Sequence, residues 1–472
     1  MAWTAVAKWT TQVLSWASTI IVARLLVPAD YGILGLALLV LGFFSLTGNL
    51  GLGAAVIHHR DMIARTRERL AGVSVGFGLV LAVAAVGLAR PMSIFFSEPA
   101  LTRPIMVLSL QLVFSGLQVV PRSLLQRDFR FKVLAKIDAG EALAATACTL
   151  TLAIMQMGYW SLVFGNIFSK AVSTILVMHH QAQRIRWPGR LRELVGELTF
   201  GGHMLLANVG WYVYGSADIA IVGRLLSTGA VGAYSLALNI GTAPMSQVTA
   251  LISRVVPGVF SAMQDDRTKL ARYLTALLEG QAFVVFPISA GMALVAPDLV
   301  GVALGSKWLA AVVPLQVLSI STAAQSLSPV LIGALVFSGH PAANSRITMS
   351  SAVVLPMLFL IGARWGIAGV AFGWLAGNLF FMLPMTFSQS RRYLGFGYRA
   401  IIRSVVPALN CTLVMAAGVL AVQQLIGAAL SGALRLGLAV LTGVVCYALA
   451  VRVLYWPKLT GFLGTVRDLR RA

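Results

Sequence analysis

Acidic side chains are scarce in this chain: Asp and Glu together number 15 in 472 residues, Lys and Arg number 36, and charged residues of all types make up 11%. A water-facing surface draws on about a quarter charged residues, so most of this sequence cannot be soluble surface. With 58% of its residues hydrophobic, the composition is that of an integral membrane protein. The net charge of +21 would suggest nucleic acid in a soluble domain. Here the cations lie in short segments between apolar runs, where they set topology and meet anionic headgroups, so membrane lipids are the expected partners and nucleic acid is not. Cysteine is almost absent. Cys148, Cys411 and Cys446 each fall inside an apolar run, which gives neither a disulfide framework nor a metal site. No Gly-Lys pair occurs, which removes the phosphate-binding loop of nucleotide hydrolases, and no motif calls for a cofactor. No loop exceeds roughly twenty residues, too few for a soluble catalytic domain of about 50 or more. Any work must therefore be done inside the helical bundle, driven by an ion gradient, the membrane potential or mass action.

What the chain does have is long apolar runs. A helix needs about 20 apolar residues to cross the hydrocarbon, and fourteen such runs can be marked, with cores from residues 4 to 26 through 433 to 453. The first is too long for a signal-peptide core and lacks a basic leader, so it is expected to remain as a span. Lys and Arg test the count, because they concentrate on cytoplasmic loops. With the N-terminus inside, inner clusters fall at Arg65, Arg67 and Arg69, at Arg122, Arg127, Arg130, Lys132 and Lys136, at Arg184 and Arg186, at Arg391 and Arg392, and in the tail. Only Arg24, Arg90, Arg103, Arg224, Lys307, Arg364 and Arg435 fall outside. A missed span would scramble that split. Both termini are expected in the cytoplasm, in a multi-pass membrane protein.

The chain also contains itself twice. Residues 20 to 40, IIVARLLVPADYGILGLALLV, match residues 220 to 240, AIVGRLLSTGAVGAYSLALNI, at nine of 21 positions. Pro104, Val107, Leu108 and Ser109 match Pro314, Val317, Leu318 and Ser319 at an offset of 210; Pro121 matches Pro329, and Gly158, Phe164 and Gly165 match Gly366, Phe372 and Gly373, at 208. Helices one to six thus correspond to seven to twelve, with two unpaired helices after them. An even number per half makes the repeat parallel, an arrangement in which polar groups at matching depths can converge on one central volume. The expected lobes are residues 1–192 and 193–390, with the last two helices and a basic tail in 391–472.

Residues Val120 to Ala135, VPRSLLQRDFRFKVLA, carry Gln126, Arg127, Asp128, Arg130, Phe131 and Lys132 in the pattern Gln-Arg-acid-x-Arg-Phe-Lys. This segment resembles the loop after helix four of the polysaccharide transporter family of lipid-linked oligosaccharide flippases. Gly158, Tyr159 and Trp160 resemble that family's Gly-x-Trp at the start of helix six, and Ala23-Arg24-Leu25-Leu26, Pro28 and Asp30-Tyr31-Gly32 its first turn. The resemblance implies two six-helix bundles in a V, a fold shared with multidrug antiporters. It also implies movement of an undecaprenyl-diphosphate-linked sugar repeat from the cytoplasmic to the periplasmic leaflet, for exopolysaccharide or lipopolysaccharide synthesis. The substrate would then be the main partner, with a polysaccharide polymerase and export machinery beside it. A multidrug or cation antiporter, or a membrane sugar polymerase or ligase, are the rival readings.

Ionisable groups inside spans are costly and call for a role. Lys170 lies eleven residues into helix six, about 16 Å deep, where it is one half of a buried ion pair, a snorkelling side chain or a cavity cation for the diphosphate. Asn378 matches it at offset 208 in helix twelve. Arg24 and Arg224 are repeat partners near the outer ends of helices one and seven, as interface anchors or as an outer diphosphate-attracting pair. Asp218 is a structural partner for an Arg or an ion-coupling carboxylate. Asp138 and Glu141, one turn apart at the expected inner end of helix five, suggest salt bridges to Lys136 or Arg130, with Glu141 a candidate for the inner mouth. The amides Gln111, Asn166, Asn208 and Asn239 default to helix-to-helix bonding. The pairs His58–His59 and His179–His180 have poor metal-ligand geometry, because adjacent helical residues diverge by about 100°.

Overall fold

The computed structural model describes residues 18–48, 53, 56–57, 64–186, 195–252, 267–426 and 431–455. Most of the first expected span, His58, His59, the cations Lys8, Arg60, Arg190, Arg192 and Arg254, and the basic tail lie outside the described residues. Among those described every regular element is helical. In chain order they are α1 (residues 18–25), α2 (Pro28–Gly48), α3 (Ala64–Phe95), α4 (Thr102–Leu108, a break at Ser109, then Leu110–Arg127), α5 (Phe131–Ile154), α6 (Tyr159–His180), α7 (Val195–Leu225) and α8 (Thr228–Ile252). There follow α9 (Arg267–Leu299), α10 (Val312–Gln325 and Leu327–Phe337), α11 (Pro341–Gly362), α12 (Gly366–Ala376, a π-helical stretch Gly377–Met382, then Leu383–Leu394), α13 (Tyr398–Ile426) and α14 (Gly432–Leu454).

Ten stretches among the described residues are long and apolar enough to cross a membrane. The longest, Pro341–Leu394, has two legs: Gly366 takes a φ of +70°, and α11 and α12 fold back so closely that a Cβ on Gly362 would strike the Gly369 carbonyl. Small residues permit such approach in lipid, where packing rather than water exclusion holds helices together.

Two compact units emerge, Met1–Ala233 and Tyr234–Ala472. The division lies inside α8, whereas the sequence reading separates lobes at 192 and 193; α7 packs on α2, with the Tyr212 hydroxyl donating to the Leu39 carbonyl, and so falls in the first unit. In that unit the chain ends sort into two groups. Arg122 pairs with Asp138, Arg130 donates to the His180 carbonyl at 3.4 Å, and the Arg186 amide donates to Glu68 at 3.1 Å. The other group joins Thr228 to Glu98 and Arg224 to the Phe95 ring, 5.5 Å from its centroid.

The second unit packs α9 against α10 and α13 around Leu274, Leu278, Val330, Leu331 and Leu335, and α14 joins α9 and α13 around Val295, Val419 and Ala439. The helices α13 and α14 are built into it: Tyr447 donates to the Phe283 carbonyl at 2.7 Å, and Arg435 grips Asp298 through Nε at 2.7 Å and again through Nη2. Asp298 is 5% exposed, so this pair neutralises a carboxylate that the apolar surroundings would otherwise penalise.

One turn occurs twice. After α4 the amides of Asp128, Phe129 and Arg130 donate to Leu124, Gln126 and Leu125 at 2.9, 3.1 and 2.9 Å. After α10 the amides of Ser338, Gly339 and His340 donate to Ala334, Val336 and Leu335 at 3.0, 3.2 and 2.9 Å. The offset is 210 throughout, which puts Leu331 rather than Pro329 at the position of Pro121. The change to 208 at Gly158 and Gly366 is absorbed between them: α5 has 24 residues and α11 has 22.

Candidate functional site

The middle of the first unit holds an ion pair. Lys170 Nζ donates to Glu141 Oε1 at 2.9 Å, with the two side chains 31% and 24% exposed. Lys170 stands ten residues from the inner end of α6 and Glu141 ten from the start of α5, so both lie about 15 Å into their helices. Glu141 therefore lies near the middle of α5 and not at its end. The helix begins at Phe131, six residues before Ile137, where the apolar run of this span starts in the sequence, because Lys132, Lys136 and Asp138 are helical despite their charge. Asp138 pairs with Arg122 instead of Lys136 or Arg130, and Glu141 pairs across to α6.

The lysine's backbone is held by a neighbour that the sequence reading passes over. Gln118 on α4 is 5% exposed. Its Nε2 donates to Thr174 Oγ1 at 2.7 Å and to the Lys170 carbonyl at 3.4 Å, while Thr174 donates to that same carbonyl at 2.7 Å. Ser173 Oγ closes the cluster on Gln118 Oε1 at 3.4 Å. Two helices, α4 and α6, thus fix the position from which Lys170 extends. A buried glutamine in an apolar span is the signal that could have found it, but Gln111 on the same helix is equally polar, and its Nε2 finds no partner among the described residues.

The other candidates are more dispersed. Asn378 is 1% exposed and lies in the second unit, in the π-helical stretch of α12, where its Nδ2 donates to Ser321 Oγ on α10 at 2.8 Å; its Oδ1 has no hydrogen-bond partner among the described residues. Asp218 is fully buried in α7, and its Oδ1 accepts the Ile219 amide at 2.7 Å. Its repeat counterpart Ser18 is also buried. Arg24 and Arg224 are both exposed near the C-terminal ends of α1 and α7, and Arg224 lies over the Phe95 face, the posture of a cation at a membrane interface. Asn166 bonds back to its own helix at Leu162, 2.9 Å, Asn239 is exposed, and the side chain of Asn208 lies outside the described residues.

A lysine ammonium offers three donors and a compact charge. Held with its carboxylate partner at mid-span and partly open, it can exchange that partner for another anion. Nothing in this cluster resembles a nucleophile set beside a base.

Comparison with known proteins adds the family. The chain is 26% identical over 377 residues to an uncharacterized membrane protein in the cps region of Klebsiella pneumoniae, covering 79% of this chain and 78% of that one. It is 25% identical over 404 residues to the lipopolysaccharide biosynthesis protein WzxC of Escherichia coli K12, covering 82% and 79%. Its fold matches that of the lipid II flippase MurJ with a TM-score of 0.78 at 12% identity, over 97% of this chain and 100% of that one. A model of one family, described as polysaccharide biosynthesis protein, matches residues 21–313. That match takes in more than half of the chain and every element of the Lys170 site, and the protein belongs to the polysaccharide biosynthesis protein family.

Proposed function

We infer that this chain is a flippase that moves an undecaprenyl-diphosphate-linked oligosaccharide repeat unit from the cytoplasmic to the periplasmic leaflet by alternating access. The observation that carries the reading is the half-open Lys170–Glu141 pair at mid-span, in a family that serves polysaccharide synthesis and on a fold shared with a lipid II flippase. Fourteen spans, in two parallel six-helix repeats followed by two more helices, carry the cycle with both termini in the cytoplasm. The turn repeated at offset 210, and the positive-φ glycines Gly158 and Gly366, support the repeat. Lys170 holds the diphosphate, which displaces Glu141; Glu141 re-forms the pair once the head group leaves, so the cation is never left bare in the membrane. Asp218 serves as the ion-coupling carboxylate of the same cycle, and Arg24 and Arg224 receive the diphosphate at the outer end. Asn378 at the corresponding depth of the other repeat offers an amide to sugar hydroxyls.

The test is transport of a lipid-linked oligosaccharide by the purified chain in liposomes, paired with polymer export in cells. Lys170→Ala is expected to abolish both at unchanged protein level. Normal export from that variant would sink the assignment of Lys170. Retained transport by Asp218→Asn at all ion gradients would remove Asp218 from the cycle.

A further inference from the structure

Several buried hydroxyls in this chain bond back to their own helix. Thr322 donates to the Leu318 carbonyl at 2.8 Å, Ser404 to Ala400 at 2.9 Å and Thr412 to Ala408 at 2.7 Å, the usual resort of such groups inside a helix. One set in the second unit departs from this. Thr386 and Ser390, one turn apart on α12, are both fully buried, and neither hydroxyl has a hydrogen-bond partner among the described residues. The same holds for Ser328 Oγ on α10, a residue 3% exposed. Gln281 on α9 and Asn378 on α12 are each 1% exposed and give their amide nitrogens to Ser326 and Ser321, which leaves both amide oxygens without a partner among the described residues. A polar atom buried without a hydrogen bond is costly, and five such atoms in one helical unit call for a common partner.

The five form a ladder in depth. The ends of α10 and α12 are tied together, with the His340 and Tyr393 rings 4.8 Å apart and Arg346 donating to the Tyr393 hydroxyl at 3.1 Å, so depth can be counted from a shared level. Ser390 stands four residues from the end of α12, Thr386 eight, and Ser328 nine from the end of α10, or about 6, 12 and 14 Å. Asn378 and its partner Ser321 each stand sixteen residues in, about 24 Å, and Gln281 meets α10 between these levels, at the Ser326 carbonyl. The helices share one cluster, Leu327 and Leu331 of α10 with Leu383 and Leu394 of α12 and Leu278 and Ala282 of α9. The first copy shows what the place can hold. Ser328 is the counterpart of Gln118 at offset 210, and there the longer side chain joins α4 to α6 directly through Thr174 and Ser173. A serine is too short for that bridge. Water supplies both donors and acceptors in a small volume, which suits a row of neutral hydroxyls and amide oxygens.

We propose that α9, α10 and α12 enclose a file of bound water, running from Ser390 to Asn378, that takes the place Gln118 fills in the first copy. The file ends at the amide that the transport reading offers to sugar hydroxyls, but the water itself does not depend on transport. The test is X-ray radiolysis of the full chain in liposomes, which makes hydroxyl radicals from bound water and oxidises the side chains touching it. Met382, between Thr386 and Asn378 on α12, is the probe, and Met415 on α13 is the control; both are 4% exposed, and Met415 packs against Gly291 and Gly443. Met382 should be oxidised several-fold faster than Met415, and equal rates overturn the proposal. Thr386→Val combined with Ser328→Ala and Ser390→Ala should bring Met382 down to the rate of Met415 and lower the melting temperature by a few degrees, because the water loses its bonds. In a dry seam the same variant removes unpartnered hydroxyls and melts no lower than wild type, which overturns the proposal, as does an unchanged Met382 rate. If the variant fails to fold, the two wild-type rates decide alone. Protection of Met382 by sodium or potassium chloride, with none from choline chloride, would put a cation in the seam and overturn the water file. A chain that passes these tests but moves no lipid-linked sugar would refute the flippase reading and leave the water file intact.

Discussion

The sixth helix and its copy in the second half start alike and then diverge. Gly158 and Gly366 open α6 and α12 with φ of +55° and +70°, and twelve residues later one helix carries Lys170 and the other Asn378. Lys170 is charged, 31% exposed and paired with a carboxylate; Asn378 is neutral, 1% exposed and bonded to a serine. The outer corners between the first two helices of each half show the opposite outcome. Capping boxes pair an N-cap hydroxyl with the third helical amide and a third-position acid with the N-cap amide. At the first corner the Val27 amide donates to Asp30 Oδ2 at 3.0 Å; at the second the Ala230 amide donates to Ser227 Oγ at 3.2 Å. Each copy keeps one half of the box. Where both copies need the same geometry, the residues change and the contact survives. Where one copy alone has a charge to manage, polarity itself diverges.

The largest expected effect breaks the comparison at mid-span. Lys170→Ala should slow transport by on the order of a hundredfold or more, the usual cost of truncating one partner of a desolvated charge pair, while Asn378→Ala should change it by less than about threefold. Equal losses in the liposome assay would mean that both copies of the helix contact substrate, and the asymmetry would be one of chemistry rather than of role.

Next come the outer corners, where the two copies are expected to behave alike. A Cβ on Gly32 would strike the Thr228 carbonyl, and one on Gly232 the Pro28 carbonyl. Pro28 and Thr228 are repeat partners, as are the two glycines, so the contact is reciprocal. Gly32→Ala and Gly232→Ala should each cost about 2 kcal/mol, the range for overpacking a close contact, and the double variant should cost less than their sum because the sites share one interface. Thermal unfolding in detergent measures all three; a large loss in one variant with none in the other would show that the contact is not reciprocal in solution.

Much of this was legible in the sequence because it depends on periodicity and composition. Apolar runs placed the helices, and the repeat located Gly158 and Gly366. Lys170 was legible for the same reason, as a lone charge in a run of apolar residues. Its partner was legible only as a residue: Glu141 looked peripheral because helical charged residues at 132, 136 and 138 hid the true start of α5. Gln118 and the Asp298–Arg435 pair were not legible, since hydrogen bonds between helices depend on rotation about each axis, which an apolar span does not encode. The 210 register around Pro121 escaped for a related reason: two matching prolines outweighed a turn whose recurrence lies in backbone bonds rather than in side chains.

The smallest effects would sharpen the corner comparison by completing what each copy lacks. Val27→Ser adds the missing N-cap hydroxyl to the first corner, and Ala230→Glu adds the missing third-position acid to the second. Each should stabilise by about 0.5–1 kcal/mol, in line with measured caps, and the acid gains further from the helix dipole at its N-terminus. Asp30→Ala and Ser227→Ala should lose similar amounts, with Asp30→Ala the costlier of the two because that carboxylate also packs beside Gly158, where a Cβ would lie 3.3 Å from Oδ1. Melting temperatures of the four variants decide it. If Val27→Ser stabilises only in the chain that keeps Asp30, the two halves of the box act as a unit. If it stabilises equally without Asp30, each half caps its helix independently, which explains how the copies came to retain different ones.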